Sequence, residues 1–379
     1  MKIKLSGVVL ACAATMGSPA VAEVTVGVSL ASTGQGASLA IPMRNAFAVL
    51  PDTLGGEKVR YVILDDATDT ATAVRNARKL VTDERVDVII GSSAVPTTTA
   101  IAEVASETKT PQISLSPISG GPLAKNKWLF STSHPTPVMT SAIVEDMKRR
   151  KVTRMAYIGF ADSWGEQVLS SLAPQAKKAG IEILADERYA RTDASVQSQV
   201  LKALSAQPEA VVIGASGVAS TLPHIALSNR GFKGPVYHTH GAITQDFIRV
   251  GGKAVEGAIA PTGPVIVAEQ LPDSAPNKTV AVGFVNTYEK KYGPGTRNVF
   301  AGYSWDAYML IDQAVPAALK AGKPGTEQFR QALRDAMEST KELVTAHAVR
   351  NLSADDRTGM DERSRVLVTV SDGAWVLKK

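Results

Sequence analysis

The stretch that decides the fold is Asp87–Ser119, which reads DVIIGSSAVPTTTAIAEVASETKTPQISLSPIS. It predicts two short buried strands, Val86–Ile90 and Gln112–Leu115, joined by a helix over roughly Thr97–Ser106. Each strand ends in a loop of Ser, Thr, Gly and Pro. In an open parallel sheet such loops lie together above the carboxyl ends of the strands, where ligands bind. Because these loops carry hydroxyl and backbone N–H groups but no acid, base or thiol, they favour holding a small molecule over transforming it.

The alternation of strand and helix continues on both sides of this stretch. Upstream, the predicted strands Val24–Leu30 and Lys58–Leu64 alternate with the helices Ser38–Leu50 and Thr70–Asp83. Downstream of the Pro-rich segment 131–137 the pattern begins again, with strands at Arg154–Gly159, Ile181–Tyr189, Ala210–Gly214 and Pro235–Thr239 and helices at Val138–Arg149, Trp164–Ala179, Ser195–Ala206 and Ala219–Asn229. Such alternation predicts parallel sheets with helices on both faces. We therefore predict the α/β class, with two Rossmann-like lobes and a ligand cleft between them.

The last third of the chain predicts how the lobes are joined. Past Gly257 the chain is predicted to be extended. Three helices follow, Lys278–Lys291, Ala301–Ala321 and Glu327–Met337, and then two closing strands, Arg365–Val370 and Ala374–Leu377. Because no strands are predicted between these helices, we expect them to cover an earlier sheet. The chain would then cross near 131–137, 258–266 and 343–351, as a three-stranded hinge. The predicted first lobe is 23–134 plus 263–345, and the second is 135–262 plus 346–379.

The first residues, 1–22, predict a secretory signal peptide. They combine Lys2 and Lys4 with an apolar run and with Ala20-Val21-Ala22, an A-x-A cleavage site before Glu23. The apolar run is too short for a transmembrane anchor. A lipoprotein cleaved before Cys12 would have a very short apolar core, so we rank it below cleavage after Ala22. The expectation is an exported, periplasmic chain that retains no cysteine once it is cleaved.

Composition and motifs argue against several classes of function. The 379 residues carry a formal net charge of +5, with charges interspersed rather than blocked, so nucleic-acid binding is not indicated. The sequence contains no GxSxG, HExxH or GxxxxGK[ST] motif, and no GxGxxG opens a predicted helix. We therefore predict no catalytic residue, no metal and no cofactor, and we do not expect an enzyme.

The candidate ligand contacts are residues at loop tips that follow successive strands. In the first lobe they are Ser38, Leu39, Ser92, Ala94, Val95, Pro96, Thr97, Ser116, Pro117 and Ser119. In the second lobe they are Phe160, Asp162, Trp164, Ser216, Gly217, His240, Gly241 and Ala242. The backbone donors of these loops and the helix N-termini beside them suit a carboxylate.

Each of these candidates also has a structural interpretation. Ser92 or Thr97 is expected to cap the helix that follows, which does not exclude ligand contact. Ser116 and Ser119 are equally typical of turns. The aromatic residues Phe160 and Trp164 fit either a core or a cleft wall, and a lone histidine such as His240 is usually structural. His240 nevertheless ends a strand beside Gly241, where a ligand can approach closely.

Several segments carry a resemblance to a known family. They are VTVGVSLASTGQGASLAIPMRNA (24–46), DDATDTATAVRNARKLVTDERVDVIIG (65–91), ETKTPQISLSPIS (107–119) and AYIGFADSWGE (156–166). In order and spacing they resemble periplasmic substrate-binding proteins of the leucine/isoleucine/valine-binding type, which serve ABC transporters. The resemblance implies the type I periplasmic binding fold and hinge closure on a small ligand. It also implies that the loops 92–97 and 116–119 hold the carboxylate of that ligand, that a membrane permease is the partner, and that the chain is a monomer.

One departure from the family bears on the ligand. In amino-acid-binding members, a tyrosine and an acid from the second lobe hold the α-ammonium group. The corresponding loops here, 215–217 and 239–242, carry no acid, and Asp162 is as well suited to capping a helix. The segment THGAITQDFIRVGGKAVEG (239–257) resembles a branch of the family that takes up aromatic or other organic acids. The favoured ligand is therefore an aromatic acid, with His240 on a phenolic or carbonyl oxygen. A branched-chain amino acid, or a receptor-type sensor role, is the alternative.

Overall fold

The computed structural model describes residues 23–118 and 125–378. The predicted signal peptide and Ser119 lie outside the described residues. The first sheet comprises β1 (Glu23–Leu30), β2 (Thr53–Leu54), β3 (Glu57–Asp65), β4 (Val88–Gly91), β5 (Gln112–Ser114) and β6 (Leu129–Ser131). Its order is β2-β3-β1-β4-β5-β6, and all its pairings are parallel except that of β2 with β3. Its crossover helices are α1 (Ala37–Ala46), α2 (Thr70–Thr82) and α3 (Val95–Glu107).

The second sheet repeats this plan. Its parallel strands are β7 (Arg154–Phe160), β8 (Glu182–Tyr189), β9 (Ala210–Gly214), β10 (Val236–His238) and β11 (Ile259–Thr262), and the helices of this part are α4 (Thr136–Arg149), α5 (Ser163–Lys178), α6 (Gln197–Ser205), α7 (Thr221–Asn229) and α8 (Gln245–Gly251). A small hairpin of β12 (Leu343–Val344) and β13 (Val349–Arg350) stands apart. The closing strand β14 (Val366–Ser371) then pairs antiparallel with β11, and β15 (Ala374–Leu377) pairs antiparallel with β14. The predicted fold class, two α/β lobes with mainly parallel sheets, is confirmed.

Local sequence explains why these elements form. Seven of the eight residues of β1 are buried, because a central parallel strand is covered on both faces and therefore reads as a continuous apolar run. Helix α2 buries Ala73, Ala77 and Leu80 at helical spacing, and the carboxylate of Asp69 accepts from Thr72 N to cap it. Strand β4 ends at Gly91, where φ is +130° and an added Cβ would lie 2.0 Å from Ser29 O. Only glycine fits that turn.

The late helices cover the first sheet, as was predicted from the lack of strands between them. They are α9 (Lys278–Tyr292), α10 (Val299–Ala321) and α11 (Glu327–Glu338). Helix α10 packs on α1 and β2, and Ser304 Oγ donates to Met43 O at 3.0 Å. Helix α11 packs in turn on α10. No helix in the described ranges is both long enough and apolar enough to span a bilayer.

The chain passes between the lobes at three places. The first connection joins β6 to α4, and the second follows β11. After Gly257 the chain is only briefly extended, because β11 gives way to a 3₁₀ turn at Pro264–Gln270. The third connection comes later than the sequence predicted. Ser131 N still donates to Arg357 O at 3.2 Å, so the chain stays with the first lobe beyond the predicted boundary at 345/346 and enters the second sheet at Val366.

Candidate functional site

A cavity lies between the two lobes, at the carboxyl ends of both parallel sheets. From the first lobe it is lined by Leu39, Ser93, Ala94, Val95, Leu115, Ser116, Pro117, Ser133 and Phe300. From the second lobe it is lined by Trp164, Arg191, Ser216, His240 and Gly241. This is the place where open α/β sheets bind ligands.

The structure brings half of the predicted site residues to this cavity. Those that line it are Leu39, Ala94, Val95, Ser116, Pro117, Trp164, Ser216, His240 and Gly241. Those outside its lining are Ser38, Ser92, Pro96, Thr97, Phe160, Asp162, Gly217 and Ala242. Ser119 lies outside the described part of the chain. Contact of any of these residues with a ligand stays a prediction.

Two first-lobe hydroxyls that were predicted to line the cleft have structural partners instead. Ser92 Oγ donates to Asp66 Oδ2 at 2.8 Å, and Thr97 Oγ1 donates to Ala94 O at 3.1 Å. The expectation that one of them caps the helix is wrong. Helix α3 begins at Val95, and its N-cap is Ala94, which makes no side-chain hydrogen bond. The first N–H groups of α3 therefore have no carbonyl of the helix to accept from them.

The most informative residue that the sequence analysis missed is Arg191. Its Nε donates to Asp162 Oδ2 at 2.5 Å, its Nη1 donates to Ser216 Oγ at 3.2 Å, and its guanidinium lies 4.2 Å from the ring centroid of Phe160. No hydrogen bond is formed by its Nη2 within the described structure. Phe160 and Asp162 therefore act on the cavity through Arg191. Its position could have identified it, because Arg191 follows the end of β8 by two residues and therefore lies in a loop at the carboxyl end of a strand.

Asp162 is fully engaged in holding this arrangement. Its Oδ1 accepts from Trp164 N at 2.9 Å and from Gly165 N at 3.2 Å, which caps α5. Its Oδ2 accepts a hydrogen bond from Arg191 Nε. The structural interpretation of Asp162 is thus the correct one. The other residues missed were Ser93, Leu115, Ser133 and Phe300. Ser93 and Leu115 adjoin predicted contacts, whereas nothing in the sequence singled out Ser133 or Phe300.

Three buried polar atoms at the cavity have no hydrogen-bond partner within the described residues. They are Ser133 Oγ, Trp164 Nε1 and His240 Nδ1. Burial lowers the pKa of His240 to about 3, so its imidazole is neutral at physiological pH. An unpaired buried polar group costs about 1–3 kcal/mol, and native proteins satisfy nearly all such groups. Because all three atoms belong to residues that line the cavity, they are candidates to pair with polar atoms of a ligand.

Aromatic and aliphatic side chains form the rest of the walls. The rings of Trp164 and His240 meet edge to face, with centroids 5.6 Å apart and planes at 89°. Leu39, Val95 and Phe300 add apolar surface from the first lobe. Walls of this kind suit a flat apolar body that carries a few polar atoms.

The lobes touch each other around the cavity. Gln167 Nε2, on α5, donates across the cleft to Pro117 O at 3.3 Å. Val95 packs into the hydrophobic core of the second lobe. A Cβ added to Gly217 would lie 2.8 Å from Ser38 Oγ. Ser38 and Gly217 therefore mark a contact between the lobes, and the structure is in a closed arrangement.

Two α/β lobes that close over a shared cavity define the class of two-lobed ligand-binding proteins. Residues 23–373 match the family described as periplasmic binding protein, and the chain belongs to that family. The resemblance and the type I fold inferred from the sequence are thereby confirmed. The family is one of exported substrate-binding proteins.

Solved structures agree with this assignment. An extracellular ligand-binding receptor from Rhodopseudomonas palustris HaA2 is 42% identical, with a TM-score of 0.92 over 94% of this chain and 100% of that one. A leucine-binding protein from Thermotoga maritima MSB8 is 23% identical, with a TM-score of 0.78 over 94% and 98%. A solute-binding protein of an R. palustris ABC transporter, in complex with benzoate, is 21% identical, with a TM-score of 0.76 over 94% and 95%. The last two likenesses show the fold alone.

Proposed function

We propose that this chain is the periplasmic solute-binding component of an ABC importer and that it closes over a small carboxylate, with an aromatic or related organic acid favoured. The observation that carries the proposal is the inter-lobe cavity, which presents Arg191 and three unpartnered buried polar atoms. Membership of the periplasmic binding protein family supports the role in uptake. In this role the chain binds and releases its ligand without converting it.

Arg191 is the proposed anchor for the carboxylate. A guanidinium forms charge-assisted hydrogen bonds with carboxylates, and those bonds are stronger than neutral ones. Asp162, Ser216 and the Phe160 ring fix the guanidinium in place, so little side-chain entropy remains to be lost on binding. Across the cavity, the N-terminus of α3 at Ala94 and Val95 adds backbone donors and a favourable dipole.

The same lining argues against an amino acid. None of the described residues that line the cavity is Asp or Glu. Both carboxylate oxygens of Asp162 are already engaged by Arg191 and the N-terminus of α5. An α-ammonium group buried here would lose its water without gaining a counter-charge, which is costly.

The aromatic and aliphatic walls of the cavity favour a compact ring. A ring would pack against Trp164 and Phe300. Neutral His240 and Ser133 would then hold a phenolic or carbonyl oxygen on that ring, because their polar atoms lack protein partners.

A small ligand panel tests this proposal. Thermal unfolding of the mature chain is measured with benzoate, 4-hydroxybenzoate, neutral benzamide and leucine. A ligand that binds only the native state stabilises it by about 2.7 kcal/mol at a concentration of 100 times its Kd. We expect the two acids to raise the melting temperature and benzamide and leucine to leave it unchanged. A shift with leucine and none with the acids would show that the ligand assignment is wrong.

A receptor-type sensor role is the second candidate, since one relative is described as an extracellular ligand-binding receptor. The binding experiment does not separate the two roles, because both use the same closure. Neighbouring genes do: permease and ATPase genes support transport, whereas a histidine kinase gene supports sensing. Export is tested by the mass of the protein in a periplasmic extract, which should correspond to a chain that begins at Glu23. Gel filtration of the same material tests the proposed monomer.

A further inference from the structure

The three connections between the lobes converge on one buried point. His134 belongs to the first connection, Gly263 to the second, and His347 to the β12–β13 hairpin that leads into the third. A Cβ added to Gly263 would lie 2.3 Å from His347 Nδ1 and 2.4 Å from His134 Cε1. The two histidine rings therefore fill the space that a side chain at position 263 would need. Both rings are fully buried.

His134 connects the two lobes directly. Its Nε2 lies 2.8 Å from Ser364 O, just before β14 of the second sheet, and its Nδ1 lies 3.0 Å from the hydroxyl of Tyr303, on α10 over the first sheet. A carbonyl oxygen only accepts, so Nε2 must carry the hydrogen. In the neutral ring, Nδ1 then accepts from the Tyr303 hydroxyl. One neutral tautomer thus satisfies a bond to each lobe.

The ligand cavity lies directly beside this histidine. The preceding residue, Ser133, lines the cavity, and so does His240, whose ring centroid is 6.5 Å from that of His134. A change in the packing of His134 would therefore reach the cavity wall.

The charged neighbours of His134 are already paired. Arg350, which is completely buried, forms an ion pair with Asp306 at 2.9 Å, and the same carboxylate accepts from Thr345 Oγ1 and Ala346 N. Near Ser364, Arg365 pairs with Glu145 at 2.8 Å. A positive charge on His134 would have no counter-ion of its own here.

The neighbouring histidine, His347, does not supply a counter-charge for a protonated His134 either. His347, with its ring centroid 5.1 Å from that of His134, lies 2.9 Å from Val299 O through Nε2 and has no partner for Nδ1 in the described structure. Burial is the main factor that lowers the pKa of His134, and His347 and His240 lower it further.

We propose that His134 is a positioning residue that latches the closed lobes while it is neutral, and that its protonation opens them and releases the ligand. The effect on binding rests on the proposed function, whereas the latch itself does not. In the closed form the pKa of His134 lies below the ordinary value, so closure is favoured above about pH 6.5 and is lost as the pH falls. One histidine of ordinary pKa in the open form then weakens ligand binding about 25-fold between pH 7 and pH 5.

The first test compares benzoate binding at pH 7 and pH 5 in wild type and His134→Gln. We expect His134 to raise the wild-type Kd by about 25-fold, and the rise in the variant to be smaller by about that factor. The matched control is His224→Gln. His224 is also buried, lies 2.8 Å from His238 through Nδ1, and has its pKa lowered to about 4, yet it sits wholly within the second lobe. Equal pH dependence in wild type and His134→Gln would overturn the proposal.

The second test needs no variant and no ligand. Nuclear magnetic resonance of ¹⁵N-histidine-labelled wild type reports the tautomer and protonation of His134. We expect protonation between pH 7 and pH 5 in the ligand-free protein and, if benzoate binds, a neutral Nε2–H ring at pH 5 when it is saturating. A ring that stays neutral at pH 5 in the ligand-free protein would refute the latch. Failure of benzoate to bind at pH 7 would count against the proposed ligand and leave this readout intact.

Discussion

Replacement of Arg191 by methionine should abolish most of the affinity for an organic acid while keeping the fold. The unbranched methionine side chain can still pack on the Phe160 ring, where the guanidinium now lies 4.2 Å from the centroid. Asp162 loses its partner but retains both N–H donors at the start of α5, at 2.9 and 3.2 Å, so the helix cap survives. The change therefore removes the cation and its bonds to Asp162 and Ser216, while the helix cap and the packing on Phe160 remain.

The size of the effect follows from the bonds that Arg191 has left to offer. Nε and Nη1 are engaged by Asp162 and Ser216, whereas Nη2 forms no hydrogen bond in the described structure and is the donor proposed to bind the carboxylate. A hydrogen bond to a charged group contributes about 1.5–3 kcal/mol. At about 1.4 kcal/mol per tenfold change, the Kd for benzoate should rise by about 10- to 150-fold.

Isothermal titration of benzoate at fixed pH and salt measures this change. The matched control is Arg188→Met, two residues earlier in the chain. Arg188 also lies over an aromatic ring, at 5.0 Å from the Tyr157 centroid, and pairs with Asp186 at 2.5 Å, but it does not line the cavity. Its variant should bind like wild type. If Arg191→Met bound benzoate within about threefold of wild type, less than one charge-assisted bond is worth, the proposed anchor would be wrong.

Two further changes probe the ends of the site and the core behind it. His240→Leu should lower the affinity for 4-hydroxybenzoate about 2- to 12-fold, the contribution of one net hydrogen bond, and leave benzoate affinity unchanged, as paired titrations would show. Equal losses for both ligands would mean that His240 only shapes the wall. Arg350→Met should reduce the free energy of unfolding in urea by about 3–5 kcal/mol, because it leaves the fully buried Asp306 without its cation. The double variant Arg350→Met/Asp306→Leu should recover much of that loss, and no recovery would contradict an uncompensated charge as the cause.

The regular elements were predictable because their signals are local. Helix α2 was predicted to within one residue at its C-terminal end, since its apolar spacing and the Asp69 cap both lie in the segment itself. By contrast, β2 was missed because a strand of two residues is too short to show a period. The three-residue strand β6 was missed as well, although β5 and β10, which are equally short, were predicted. The third connection was placed too early for a related reason: residues 346–357 are held to the first lobe by contacts such as that of Arg350 with Asp306, which no local pattern reveals.

The position of the cavity was predictable from the sequence, whereas only some of the residues that line it were. Any loop at the carboxyl end of a parallel strand is a candidate, which correctly brought Ser116, Trp164, Ser216 and His240 to the cavity. The direction in which each of these side chains points could not be predicted from the sequence. Ser92 sits in the expected loop, yet its hydroxyl turns to Asp66, because a buried carboxylate needs donors more than the cleft does.

The sequence by itself determined the succession of buried strands and helices, and with it the two lobes and the edge at which a ligand would bind. These follow from periodicity and burial, which act over a few residues at a time. Only the tertiary structure decided which groups line the cavity and which contacts join the connections between the lobes. Arg191 is oriented by Asp162 and Ser216, and His134 meets Tyr303 and Ser364. Each of these arrangements joins residues from distant parts of the chain, so their chemistry exists only once the lobes have folded and closed.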